Sequence, residues 1–383
     1  MSGRSFISIL IILSGGACVD RLFIDIGKSS TFPVVVDGFI SDKPGPYKIL
    51  VSRAFDSESK SELKIPISVQ KMILSDDAGH SETLTEQEQG TYHTSPSGIQ
   101  GAPGRAYKLR IELLDGRIYE THPDTILDTS GKIERVYHTF KEGTDANGAS
   151  TYSFDVFFDA VAGEKSNNRF LWRFTGTFQS ETHPELRDIV YNAIPCANGK
   201  CNFYDLCSGI LNVGGNILCS SARFVQVHPC ECCTCWYDIF NPLPMLSDSK
   251  FEQGGVFRGV KAYNVPLDQW IFMHKIHIDI SQLNLTSQTF SFWKAILDQK
   301  NSSGSLFQPV TGRIPNYFTQ ISGPEAAMEG LFYAASVRNK TIFLTREDVP
   351  NPGIIPEVIL PWRASCLTLF PFATTTKPSF WVD

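Results

Sequence analysis

Long apolar runs are missing from this 383-residue chain. The apolar run that opens it, Phe6 to Leu13, spans eight residues. A membrane-spanning helix needs roughly 20, so no transmembrane helix is expected. Basic tracts are missing too: 34 Lys and Arg stand against 40 Asp and Glu, for a net charge of −6. That balance argues against nucleic acid as a partner. No heptad run and no internal repeat is present. The G-x-S-x-G and H-E-x-x-H patterns are absent. Gly214-Gly215 lacks the Lys and helix of a phosphate loop, and the eight His are scattered. His274 with His277 fits the wet face of a strand better than a ligand pair. Asp76-Asp77, and Asp155 with Asp159, fit turn and surface roles better than calcium ligands or paired acids. No catalytic residue, metal site or cofactor is therefore assigned.

What is present at the start has the parts of an export signal. Arg4 precedes the apolar run, and Leu13-Ser14-Gly15-Gly16-Ala17 leads into Cys18. A charged start, a short apolar run and small residues before a break make a secretory signal peptide. A cysteine at the break is the residue acylated in bacterial lipoproteins. Residues 1–17 are thus expected to be removed and Cys18 to carry lipid. Each buried methylene contributes about 0.8 kcal/mol, so two or three acyl chains anchor stably where one does not.

Ten cysteines are present, and eight crowd into one stretch: Cys196, Cys201, Cys207, Cys219, Cys230, Cys232, Cys233 and Cys235. Spacing in Cys230-Glu231-Cys232-Cys233-Thr234-Cys235 is irregular for a zinc site built from spaced pairs. Cys232 to Cys235 is nominally C-x-x-C, without a surrounding βαβ pattern. In an exported chain these residues read as disulfides. Cys232 and Cys233, as neighbours, are expected to take different partners. Cys366 is either an odd thiol or reaches back to the insert.

The 27 Phe, 12 Tyr and 6 Trp, with many Thr, Ser, Val and Ile, favour strands. Residues 18–31 read as a tether. Strand-like runs then follow at Val34 to Ile40, Tyr47 to Arg53, Ile67 to Ser75 and Gly90 to Thr94. Arg105 to Leu114 and Arg117 to Thr121, around Asp115-Gly116, make the clearest hairpin, since Asp-Gly supplies the positive φ of a tight turn. This spacing describes an Ig-like or transthyretin-like β-sandwich over 32–122. Pro123 to Ser130 is a polar linker. A larger β-rich domain is expected over 132–383, with the cysteine-rich insert at 196–235. One helix, Thr289 to Lys300, carries Phe290, Trp293 and Leu297 on one stripe. Trp270 to Ile280 reads as a strand, and Gly330 to Val337 with Lys340 to Thr345 as a closing strand pair. Trp236 and Tyr237, beside the cysteines, are the preferred candidates for an exposed binding surface. Asp124-Thr125-Ile126 matches a short O-glycosylation pattern at Thr125.

Several segments together resemble one family. They are Cys18-Val19-Asp20, Val35 to Asp42, Pro103 to Leu109, Asp115 to Tyr119, Asn241-Pro242-Leu243-Pro244, Phe292-Trp293, Gly304 to Phe307, and Lys377 to Trp381. The family is the Bacteroidetes outer-membrane lipoproteins catalogued as domain of unknown function 4249, found beside TonB-dependent receptors. The resemblance implies a lipid-anchored outer-membrane protein; its orientation is left open by the sequence, with the cell surface preferred to the periplasmic face. It further implies a non-enzymatic accessory role with a TonB-dependent receptor in nutrient uptake. It carries over no catalytic residue and names no ligand. An envelope structural or assembly lipoprotein, or an unrecognised hydrolase, are the alternatives.

Overall fold

The structure, a computed structural model, describes residues 33–53, 65–128, 131–163, 169–183, 206–212, 224–226, 228–247, 252–302, 314–356 and 365–382. The expected signal peptide (1–17) and tether (18–31) lie outside the described residues, as does most of the insert. The protein is mainly β, with two α-helices, Ser287–Ser302 and Cys366–Leu369, among the described residues.

A ten-stranded sheet is the spine. Its path runs Thr234–Phe240, Phe170–Glu181, Lys275–Asn284, Met328–Thr345, Val34–Ser41, Lys48–Arg53, Thr91–His93, Thr85–Glu88, with Met245–Leu246 paired to Phe170–Glu181 and Ile65–Pro66 to Lys48–Arg53. A six-stranded sheet holds Phe318–Ser322, Ile118–Thr121, Ala106–Glu112, Lys71–Asp76 and Ser81–Thr83 in that order, with Asp124–Thr125 paired to Ala106–Glu112. A four-stranded sheet runs Lys132–Thr144, Ser150–Val161, Val256–Pro266, Glu252–Gln253.

Alternation explains how these layers stack. In Met328–Thr345 the even-numbered Phe332, Ala334, Ile342 and Leu344 fall on one face, because successive strand residues point to opposite sides. Phe332 and Ala334 join one core, with Val36, Ile49, Met72, Leu109 and Ile111. Ile342 and Leu344 join a second, with Phe154, Phe158, Trp172, Phe174, Phe257 and Ile278. One face of the spine thus packs against both smaller sheets. On the opposite face, Tyr333 stacks on Phe39 at 5.3 Å and meets Trp293 of the long helix at 6.4 Å.

Pairing crosses the boundary expected between 122 and 132. Val34–Ser41 runs parallel to Met328–Thr345, from Val34↔Met328 to Ser41↔Ala335. Phe318–Ser322 pairs with Ile118–Thr121. Sequence locality hid this, because the N-terminal strands bury their apolar face partly against strands made some 290 residues later. Gly330, at φ +97°, permits the parallel contact: a Cβ there would collide with the Val36 carbonyl oxygen.

The expected Asp115-Gly116 hairpin forms, with Arg110 opposite Glu120 and Glu112 opposite Ile118. The expected closing pair is instead one strand of 18 residues, Met328–Thr345. Arg338 and Asn339 look like a turn, but the ladder runs through them, Arg338 opposite Gln282 and Asn339 opposite Ser281. Trp270 to His274 is not strand. Asp268 organises a turn there, its carboxylate accepting from Trp270 N at 2.7 Å and its carbonyl from Phe272 N at 3.0 Å.

Candidate functional site

The distal end of the spine is tied by disulfides. Cys207 bonds Cys232, Cys230 bonds Cys233, and Cys235 bonds Cys366, with Cα separations of 5.5, 5.7 and 6.0 Å. Cys232 and Cys233 take different partners, as their adjacency suggested. Cys366 reaches back across 131 residues. Cys18, Cys196, Cys201 and Cys219 lie outside the described residues.

From Cys366 the tail wraps the edge of the spine. Phe370 packs on one face, with ring centroids 5.1 Å from Tyr237, 5.4 Å from Phe178 and 6.0 Å from Trp270. At the edge, Thr374 and Trp236 exchange backbone hydrogen bonds of 2.8 and 3.0 Å. On the far face Trp381 lies against Trp236 at 6.3 Å and Phe343 at 5.9 Å. Lys275 donates to the Val382 carbonyl. Trp236 and Tyr237 therefore do not form an exposed surface. Trp236 is 8% exposed beneath the tail, and Tyr237 is half-buried against Phe370. The sequence contained no local sign of a cover supplied more than 130 residues downstream.

Beside the tail lies a polar strip on the same face. Phe380 stacks on His277 at 4.2 Å, and Phe343 meets the same ring edge-on at 5.0 Å. His277 is thus buried, not on a wet face. Burial holds its imidazole below the ordinary value, against the pull of Asp279 and Asp238. Burial also pushes the Asp279 carboxyl up, opposed by a hydrogen bond from Asn339 and by the charges of His277 and Lys43. Asn339 Nδ2 donates to both Asp279 oxygens, at 2.8 and 3.1 Å, and to Ser281 Oγ at 3.0 Å. Thr177 Oγ1 donates to Asp238 Oδ1 at 2.6 Å. Among the described residues no hydrogen bond joins His277 to a hydroxyl; its ring is held by the stacking of Phe380 and the edge-on contact of Phe343. The described residues also contain no group of three His, Cys, Asp or Glu able to hold a metal.

Three other acidic positions are spoken for by the fold. Asp159, expected at the surface, is fully buried. It accepts from Arg135 Nε at 2.6 Å, Gly259 N at 2.8 Å and Arg258 Nη1 at 3.2 Å. Asp76 does serve a turn, accepting from His80 N at 2.8 Å and Ala78 N at 3.0 Å. Asp124, in the expected linker, is buried beside half-buried Thr125, with Ile126 in the core. Its carboxylate gathers Thr286 Oγ1 at 2.6 Å, Thr289 Oγ1 at 2.8 Å and the Ala334 amide at 2.9 Å. That segment is a structural joint rather than a free linker, because Asp124 takes its partners from the C-terminal half and Ile126 is buried in the core.

These features define a class: a mainly β protein with one spine sheet, two packed sheets and a disulfide-tied C-terminal tail. The chain belongs to the family described as domain of unknown function (DUF4249), whose profile matches residues 19–341. The matched span ends within Met328–Thr345, so Cys366, Phe380 and Trp381 lie beyond it. No curated protein matches the chain.

Proposed function

We propose that the chain is a lipoprotein anchored through Cys18 in the outer membrane, on the cell surface. In this reading it acts without catalysis, as a binding or accessory component of a TonB-dependent receptor in nutrient uptake. The observation that supports export most directly is the pairing of Cys207, Cys230, Cys232, Cys233, Cys235 and Cys366 into three bonds. Disulfides persist where thiols are not kept reduced, as outside the cytoplasm. Cys18 follows a charged start and an apolar run too short to cross a bilayer, the arrangement an acylated N-terminus requires. No helix of the described residues is long and apolar enough to cross a membrane.

Growth with a clickable palmitate analogue tests the anchor. The wild-type protein is expected to take the label and to sediment with outer membranes, and Cys18→Ala to do neither. An unlabelled, freely soluble wild-type protein would overturn the anchor. Affinity purification of the tagged protein from detergent extracts tests the partner: a TonB-dependent receptor should co-elute in stoichiometric amount, and its absence would remove the receptor from the reading.

A further inference from the structure

Sheet edges are exposed rows of backbone donors and acceptors, and proteins protect them with charge, bulges or short length. This protein does so at two of its edges. Thr85–Glu88, one end of the spine, is four exposed residues with two glutamates and a register shift between Glu86 and Glu88. Lys132–Thr144, an edge of the four-stranded sheet, carries Lys132, Glu134, Arg135, Lys141 and Glu142.

Thr234–Phe240, the other end of the spine, is built differently. Its backbone groups alternate between the neighbouring strand Phe170–Glu181 and the outside. Trp236 points outward, because it bonds Thr374; Asp238 and Phe240 share its parity and point the same way. Among the described residues no backbone hydrogen bond reaches the outer side of Asp238 or Phe240. No bulge is recorded in the strand's pairing. Phe240 is 65% exposed, and Asp238 is the one charged residue of the strand. The tail fills the edge for a single residue, at Thr374. Two residues earlier it departs: Phe372, at φ +95°, turns the chain away and leaves its own ring 99% exposed. A bulky residue held at positive φ is a conformational outlier. Here it ends the tail's pairing just where Asp238 would otherwise be covered.

We infer that the outer edge of Thr234–Phe240 accepts an extended segment of a partner protein, which adds as a further strand opposite Asp238 and Phe240. The occupant is a peptide strand because the free groups are main-chain donors and acceptors repeating every second residue, which another strand matches. Thr374 already shows the mode one step along the same edge. Phe240 and Phe372 favour apolar side chains on the incoming segment, and Asp238 favours a Lys or Arg. A second copy offers only the same acidic edge, and in the register centred on Asp238 it brings two carboxylates together, which is unfavourable between facing strands; a different chain carrying a Lys or Arg opposite Asp238 complements the edge in every register. The inference does not depend on the membrane anchor.

The test uses the full mature chain and a fluorescent, end-blocked peptide of alternating Val and Lys. Phe240→Pro removes an outward N–H together with the exposed ring, a change edge strands tolerate, and its melting temperature should match the wild type; Phe240→Ala removes the ring alone and is expected to bind more tightly than the proline variant, so that the difference between the two reads the backbone N–H. Expected results are saturable binding by the wild type and at least tenfold weaker binding by Phe240→Pro. A peptide N-methylated at alternate amides should lose binding to the same degree. In the free protein the amide hydrogens of Asp238 and Phe240 should exchange faster than that of Trp236. Unchanged binding by the proline variant, no binding of the unmodified peptide, or slow exchange at Asp238 and Phe240 in the free protein would each overturn the inference. So would a wild-type dimer that Phe240→Pro dissociates, which would make a second copy the occupant.

Discussion

Asp124→Ala should destabilise the protein out of proportion to the atoms removed. Its carboxylate joins three elements distant in sequence: Asp124–Thr125, the start of helix Ser287–Ser302, and Met328–Thr345. The two threonine hydroxyls can turn toward each other, since Thr286 Oγ1 and Thr289 Oγ1 are 3.3 Å apart. The Ala334 amide cannot turn, and Ala334 is fully buried. A buried donor left without an acceptor costs about 1–3 kcal/mol, and each lost bond to a charged group about 1.5–3 kcal/mol. After the hydroxyls re-pair, the net loss expected for Asp124→Ala is about 3–4 kcal/mol. Asp124→Asn separates the chemistry from the shape. Its amide oxygen can still accept from Ala334, while its NH2 donates to a threonine oxygen, so the loss should be about 1 kcal/mol. Equilibrium urea unfolding, followed by tryptophan emission, measures both. If alanine costs less than 1 kcal/mol, or costs the same as asparagine, the carboxylate is not the joint described here.

Three further outcomes follow from the structure. Burial of Asp159 opposes its ionisation, but the Gly259 amide, Arg135 and Arg258 outweigh it and hold the carboxyl below the ordinary range. A depressed folded value stabilises the protein above the unfolded value of about 3.9 and loses that contribution as pH falls through the folded one; the melting temperature of Asp159→Asn should therefore fall less steeply below about pH 4 than that of the wild type. Gly330→Ala should cost at least about 2 kcal/mol by calorimetry, because the new Cβ meets the Val36 carbonyl at a positive φ. The double change Cys235→Ser with Cys366→Ser opens a loop of 131 residues and should cost about 2–4 kcal/mol, with the tail becoming the first site of limited proteolysis; a tail still resistant to protease would show that aromatic packing alone holds it.

Local structure was legible in the residues where local chemistry decides it. Asp115-Gly116 marked its hairpin because a tight turn needs positive φ, and Gly116 has it at +84°. The stripe of Phe290 and Trp293 marked the helix. What stayed hidden was partnership across distance. Alternation at His277 and Asp279 reported a strand with two unlike faces, but Phe380 and Trp381 decide that the polar face is partly covered. Arg338 fell in the gap between the two expected closing strands, and the ion pair that fixes it, with Asp42, joins residues 296 apart. Cys366 left two readings open until the chain could be followed back to Cys235. The candidate strip of His277, Asp279 and Asn339 has no motif at all; pairing of two strands creates it.

The parallel pairing of Val34–Ser41 with Met328–Thr345 also sets a clock. Synthesis and any translocation proceed from the N-terminus, so Val34 emerges almost 300 residues before the Met328 it must sit beside. Until then an apolar strand paired only on its Lys48–Arg53 side waits in the open, the kind of exposed edge that aggregates. Contacts this far apart in sequence also form slowly once the chain is complete. Successful maturation therefore turns on what shelters residues 34–41 during that interval, and the protein's yield should respond to the supply of holding chaperones more sharply than its final stability would suggest.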